Sequence, residues 1–271
     1  MKWIKKVLWG VACAAALCVT DMKEVKAQTS DAAFKQFQLS FNRVNQAYGK
    51  YFDYFKKTFE SAGVPFPPKE IYLRSFKLSN ELEVWVRPEK SDTFMMFKKY
   101  KVCALSGDAG PKRKEGDKQV PEGYYFIDEF NPKSDFYLSL QVSYPNYSDL
   151  MLGDKAKPGG DIYIHGGCIT VGCLPMTNEG IEEIYTLCLL ARANGQTYIP
   201  IHIFPTRFNR DGLNYLGKAF MSDTLKQKFW VDLKKGYDYF EKKHLVPPVM
   251  YTPEGRYVVP EVGSAFARKV Q

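Results

Sequence analysis

The stretch Ile162-Tyr163-Ile164-His165-Gly166-Gly167-Cys168-Ile169-Thr170-Val171-Gly172-Cys173-Leu174-Pro175-Met176 decides how the rest of the chain is read. Asp161 to His165 reads as a short β-strand that delivers an imidazole at its end, and a thiol follows eight residues later, just before a helix. A free thiol with a pKa near ~8.5 is only a few per cent ionised at neutral pH, so a nucleophilic cysteine needs a nearby imidazole or a helix N-terminus to raise its thiolate fraction. Cys173 is expected to have both. Gly166 and Gly167 permit a tight turn, and Gly172 lets a substrate carbonyl approach the thiol and nearby N–H donors.

Outward from this stretch, Thr177 is the expected N-cap of a helix that buries Ile181, Ile184, Leu187, Cys188 and Ala191 and stops at Gly195. Tyr198 to Phe204 alternates as a strand, with His202 on the face opposite Ile199, Ile201 and Ile203. Upstream, Ile71 to Leu78 and Glu81 to Val86 predict a hairpin turning at Ser79-Asn80. Met95 to Cys103, Tyr124 to Phe130 and Leu138 to Tyr144 add short β segments. Ser106 to Gly123 reads as a long polar loop of the kind that carries function. Residues 31 to 62 repeat aromatics at helical spacing, from Phe34 to Phe59, which predicts a packing helix or helix pair. Helical texture returns beyond Pro205, notably from Thr224 to His244. The expectation is a mainly β catalytic core over residues 70–206, with a helical segment at 28–69 and a helical extension at 207–271.

Composition narrows the classes. The 271 residues are 45% hydrophobic, 15% aromatic and 25% charged, which excludes disordered, collagenous and coiled-coil chains. No apolar run reaches the roughly 18 residues a membrane span requires. Lys2, Lys5 and Lys6 precede an apolar stretch from Val7 to Val19, so residues 1–27 are expected to be an export signal cleaved after Ala27. Cys13 and Cys18 lack the flanking residues of a lipidation site. Removing 1–27 takes five Lys and two acids from the +8 net charge and leaves +5, too mild to name a partner and without a nucleic-acid motif. With export goes a bacterial periplasm or cell-envelope location.

The run from His165 through Cys173, with Thr170 two before Gly-Cys, resembles the L,D-transpeptidase (YkuD-type) catalytic domain, whose members act on peptidoglycan stem peptides. The string continuing to Tyr185 is most similar to the envelope branch that includes an enzyme releasing a lipoprotein from peptidoglycan. Similarity extends to Leu105–Lys112, Gln119–Tyr125, Ser143–Asn146 and Pro200–Pro205. The resemblance implies a β-sandwich-like fold with a covering helix, Cys173 as nucleophile, His165 as general base and acid, and the Gly166 carbonyl orienting the ring. Gly172 and Thr170 then belong to the oxyanion turn. It implies no cofactor and no metal, and stem peptides as partner, with a peptidoglycan-linked lipoprotein allowed as a further one. The chain departs from the usual pattern at Val171, where most members carry a second His, and at Pro175, where most carry an Arg. Lys112, Arg113 and Arg207 are the cations that position suggests in place of that Arg, and Tyr144 is a further substrate-contacting candidate.

Plainer readings stand beside these. His202 and His244 are expected to be structural. Cys168 reads first as a passive wall residue, with a redox partnership to Cys173, a bridge to Cys103 or Cys188, or a zinc set with His165 and Cys173 as weaker alternatives. A peptidoglycan-binding scaffold without activity is the alternative from another class.

Overall fold

Alternation along the chain is what makes the sheet. The computed structural model describes residues 31–260, so the expected export segment with Cys13 and Cys18 lies outside the described residues. Strands β1 (Glu70–Phe76) and β2 (Glu81–Arg87) form the expected antiparallel hairpin, with Asn80 at φ 51° in the turn. To them are added β3 (Met95–Lys101), β4 (Gly123–Asn131), β5 (Ser139–Val142), β6 (Tyr163–His165), β7 (Leu174–Pro175) and β8 (Ile199–Phe204). The eight strands form one mixed sheet in the order β3-β2-β1-β8-β4-β5-β6-β7. The β1–β8 and β6–β7 pairs are parallel and the rest antiparallel. The sandwich-like layering is made by helices lying against this one curled sheet.

One face is covered from the N-terminal side. The aromatic repeat resolves into a helix pair, α1 (residues 31–39) and α2 (Asn42–Ser61). α2 buries Val44, Ala47, Tyr51, Phe55 and Phe59 against α4 (Asn178–Ala193) and the sheet residues Leu73, Val84, Ile164 and Ile201. Each such Phe removed from water contributes about 2 to 3 kcal/mol. The short helix α3 (Tyr147–Leu152) is closed by a capping box between Asn146 and Asp149.

The opposite face explains why β1 is buried at nearly every position. Helices α5 (Arg210–Ala219) and α6 (Thr224–Lys243) fold back after β8, and α6 lays Phe229, Trp230, Leu233, Tyr237 and Phe240 over Tyr72, Phe76, Trp85 and Phe204. A strand covered on both faces reads as continuous burial rather than alternation. This cover reaches Tyr124 on β4 and stops there: the next residues on the same face, Phe126 and Asp128, are exposed. A small hairpin, β9 (Met250–Tyr251) with β10 (Tyr257–Val258), edges the gap.

The loop at 106–123 is anchored from beneath. The fully buried Lys77 pairs with the fully buried Glu122 at 3.0 Å and also donates to the carbonyls of Gly110 and Val120. Glu122 in turn accepts from Gly110 N–H and the Trp230 indole. Every polar atom of the pair thus has a partner, the condition under which a buried ion pair is tolerated.

Candidate active site

β6 ends at His165, whose neighbour across β5 is Ser139 and across β7 is Pro175. Ile164 points into the core, so the strand's alternation turns His165 and Tyr163 to the other face, the half of the sheet that α6 leaves open. His165 is 3% exposed and packs against the Phe136 ring at 4.7 Å between centroids. Its Nδ1 lies 2.6 Å from the Gly166 carbonyl. A carbonyl only accepts, so Nδ1 carries the proton and Nε2 keeps the lone pair a base needs. Burial pulls the imidazole below its usual pKa, opposed by that carbonyl contact, so the ring is neutral near pH 7.

Cys173 and His165 line the same cavity of about 290 Å³, together with Ser139, Phe136, Asp161 and Tyr163. The Cys173 thiol donates to the Asp161 carbonyl at 3.4 Å. Thr170 closes the turn: its hydroxyl donates to the Cys173 carbonyl at 2.8 Å and accepts the Cys173 N–H at 2.9 Å. That N–H is therefore committed inside the turn. Among the described residues Gly172 N–H makes no internal hydrogen bond, which leaves it as the donor free to face a developing oxyanion. Glycine is required at 172 on two counts, a φ of +102° and a Cβ position only 3.2 Å from the Gln119 carbonyl of the overlying loop. At 166 a Cβ would stand 2.7 Å from Asn178 Oδ1 and 3.0 Å from the Phe136 carbonyl.

Two expectations about the cysteines need correction. Cys173 is not at a helix N-terminus, because the two-residue strand β7 separates it from α4, whose first turn is already capped by Thr177 accepting from Gly180 N–H. The thiol therefore gains no help from the helix dipole, and burial pushes its pKa up, reinforced by the Asp161 carboxylate and opposed by a backbone hydrogen bond at Tyr163 and by the Lys112 charge. Cys168 is not a passive wall residue: it is disulfide-bonded to Cys103, with Cα atoms 5.2 Å apart. The bridge ties the middle of the 165–173 turn to the end of β3, where Cys103 N–H also bonds the Pro175 carbonyl at 2.8 Å. It also withdraws Cys168 from any zinc set or partnership with Cys173.

None of the four substrate-contacting candidates lines the cavity that holds Cys173 and His165, and they lie at different places around it. Lys112 is buried against Asp117 at 2.7 Å, and its charge acts on Cys173. Tyr144 stands beside it, with its hydroxyl donating to the Pro158 carbonyl at 2.8 Å. Arg113 is drawn to Asp149 at 3.3 Å. Arg207 is placed elsewhere, held by Glu81 and Glu83 at 2.5 and 2.6 Å over the Phe76 ring, and it does not line the cavity with Cys173. His202 is 3% exposed on β8, its Nδ1 held 2.6 Å from the Tyr72 hydroxyl, and it lies outside the cavity of Cys173, against the wall of a separate cleft. Asp161 and Phe136 are among the cavity residues that motif reading missed, with Asn131, Ser134, Asp135, Ser139 and Tyr163. The Gly159-Gly160-Asp161 turn, with Asp161 at φ 54°, was the available signal for the first. Nothing local marked Phe136, since only the β5–β6 register brings it to the imidazole.

The description of the YkuD family, the L,D-transpeptidase catalytic domain, matches residues 83–203. YafK of Escherichia coli strain K12, provisionally named an L,D-transpeptidase, is 34% identical over 191 residues, covering 70% of this chain and 73% of that protein. Among solved structures, the helical cell shape determining protein Pgp2 of Campylobacter jejuni shares 18% identity, with 68% of this chain and 73% of that one covered at a TM-score of 0.41. Bd1075 of Bdellovibrio bacteriovorus shares 21% identity over 65% of this chain and 61% of that one, at a TM-score of 0.38. The extent and identity of the YafK match, over a span that includes the whole His165–Cys173 turn, establish that this chain belongs to the L,D-transpeptidase catalytic domain (YkuD) family.

Proposed function

We propose that the protein is a cysteine-dependent peptidoglycan-modifying enzyme of the bacterial envelope, acting on stem peptides through a thioacyl intermediate on Cys173. The observation that carries this reading is the His165 tautomer: Nδ1–H is spent on the Gly166 carbonyl while the ring shares one cavity with the Cys173 thiol. Both groups are neutral at rest. The thiol proton passes to Nε2 as the sulfur attacks the carbonyl that follows the diamino acid's L-centre, and the C–S bond forms with the negative charge on the carbonyl oxygen facing Gly172 N–H. Collapse breaks the C–N bond, and the imidazolium returns its proton to the leaving amine. The now neutral ring then takes a proton from the acceptor as it attacks the thioester; the C–S bond breaks and the imidazolium passes that proton to the departing Cys173 sulfur. Water as acceptor makes the enzyme a carboxypeptidase or endopeptidase; a second stem's amine makes it a transpeptidase. The matched proteins are not named for a lipoprotein, so the reading stops at the stem peptide.

The test is mass analysis of muropeptides incubated with the wild type and with Cys173→Ala, with and without a second stem. New masses from the wild type alone support the reading; equal digestion by Cys173→Ala sinks it. One observation favours an inactive scaffold, namely that burial pushes the Cys173 thiol up rather than down. That reading predicts no acyl adduct on a carbapenem while Cys173 still reacts with a thiol reagent.

A further inference from the structure

The open half of the sheet carries a second concavity that the chemistry at Cys173 does not use. It encloses about 540 Å³, within the roughly 300 to 1,000 Å³ range of small-molecule sites, and is lined among others by Phe126, Asp128, Ser143, Asn146, Tyr147 and Tyr251. Phe126, Tyr147 and Tyr251 remain 36%, 43% and 38% exposed, so their rings are presented to a ligand rather than spent in the core. Tyr147 and Tyr251 meet edge to face at 5.4 Å, and Tyr198 extends the Phe126 platform at 5.3 Å.

This cleft and the catalytic cavity lie on one continuous surface. On β5 and its extension the core takes Leu140 and Val142, so Ser139 and Ser143 share the outer face; Ser139 lines the catalytic cavity and Ser143 lines the cleft. Four residues of strand separate them, about 13 Å. On the neighbouring strand Asn131 lines the cavity and Asp128 the cleft, about 10 Å apart. Three to four extended peptide residues cover about 10 to 14 Å.

We propose that the cleft is a glycan subsite, which holds a sugar of the peptidoglycan strand while the stem peptide attached to that sugar runs along β5 to Cys173. The proposal rests on the peptidoglycan reading above and adds to it the part of the polymer that is gripped. The lining chemistry selects a neutral polyhydroxylated ligand. Aromatic faces carry the negative lobe of the ring quadrupole and attract the C–H-rich faces of a pyranose. The Asp128 carboxylate accepts hydroxyl and amide hydrogens, and the Ser143 hydroxyl, which already accepts Phe126 N–H at 3.0 Å, has its own proton to give. The lining contains no Lys or Arg, so an anionic headgroup finds no cation there. A free peptide would meet no strand edge to pair with, since β4 and β5 are interior strands.

The experiment measures calorimetric binding of a peptide-free N-acetylglucosamine tetrasaccharide to the full chain carrying Cys173→Ala, which makes the readout independent of turnover. Saturable binding is expected, weakened at least tenfold by Phe126→Ala and by Asp128→Asn, and unchanged by Val231→Ala on the exposed side of α6. Phe126 and Asp128 are exposed, so an unaltered thermal midpoint verifies the fold of each variant. Absence of saturable binding, or equal affinity in the Phe126 and Asp128 variants, overturns the subsite. If the sugar binds and muropeptides stay intact with the wild type, the subsite stands and the enzyme reading falls.

Discussion

Two histidines sit on this sheet with the same exposure, 3%, and opposite prospects. His165 ends β6 and opens on a cavity shared with a thiol. His202 lies mid-strand in β8, its Nδ1 2.6 Å from the Tyr72 hydroxyl, with the Tyr72 and Tyr124 rings at 4.7 Å on either side. Both are pulled below the usual imidazole pKa by burial, His202 to about 3, with Arg74 adding to the effect there. A perturbed pKa therefore does not distinguish chemistry from packing here. What distinguishes them is the company each ring keeps: His165 shares its cavity with the Cys173 thiol, whereas His202, at the wall of the neighbouring cleft, has its Nδ1 taken by the Tyr72 hydroxyl and no nucleophile beside it.

The sharpest break of this contrast is at the open end. Cys173→Ala is expected to abolish thioacyl formation, and His165→Gln to lower kcat/KM by about 10² to 10⁴, both with an unchanged thermal midpoint. Equal turnover by His165→Gln and wild type would reduce His165 to the status of His202. Next in size is the staple beside it. Cys103→Ser closes no loop across its 65-residue separation and is expected to cost about 3 kcal/mol in denaturant unfolding. At the other histidine, His202→Ala leaves the Tyr72 hydroxyl buried without a partner and opens a cavity, a loss of about 2 to 3 kcal/mol measured the same way. An intact midpoint would show that the enclosure is looser than the geometry says.

The smallest effect is in pH. His165 has a lowered pKa, so its neutral form persists below 6.5 and the acid limb of kcat/KM should fall at a pH below that value. For His202 the depressed folded-state pKa means that its contribution to stability is complete above about 6.5 and is lost as pH falls toward about 3. Asp149, raised to about 6 by burial, acts with the opposite sign between about 6 and 4. Comparing the acid unfolding of His202→Gln with the wild type isolates the histidine's share; identical slopes would remove His202 from the account.

Local pattern carried the strands and the candidate site, and failed where contacts are distant in sequence. His165, Cys173 and the glycines between them were legible because a strand end, a tight turn and a reactive thiol leave their mark within fifteen consecutive residues. The strands were legible by alternation, down to the Asn80 turn. Alternation could not show that Tyr72, Arg74 and Phe76 also face a buried layer, because that layer is supplied by α6, some 150 residues later. The partner of Cys168 was hidden for the same reason, since pairing follows from where β3 ends in space. The helix-terminus argument for Cys173 failed on two residues, Leu174 and Pro175, which pair with β6 before the helix begins. Arg207 was misplaced because its sequence position next to β8 says nothing of Glu81 and Glu83 waiting across the hairpin.

The Cys103–Cys168 bridge also settles how the protein can be counted. With those two sulfurs joined and Cys188 fully enclosed, Cys173 is the one thiol among the described residues that a reagent in solution can meet. A colorimetric thiol assay on the folded, oxidised protein without residues 1–27 thereby counts Cys173, the proposed nucleophile, at one equivalent per chain. Two further equivalents released by a reductant report the staple, so preparations can be graded for both features before any substrate is added.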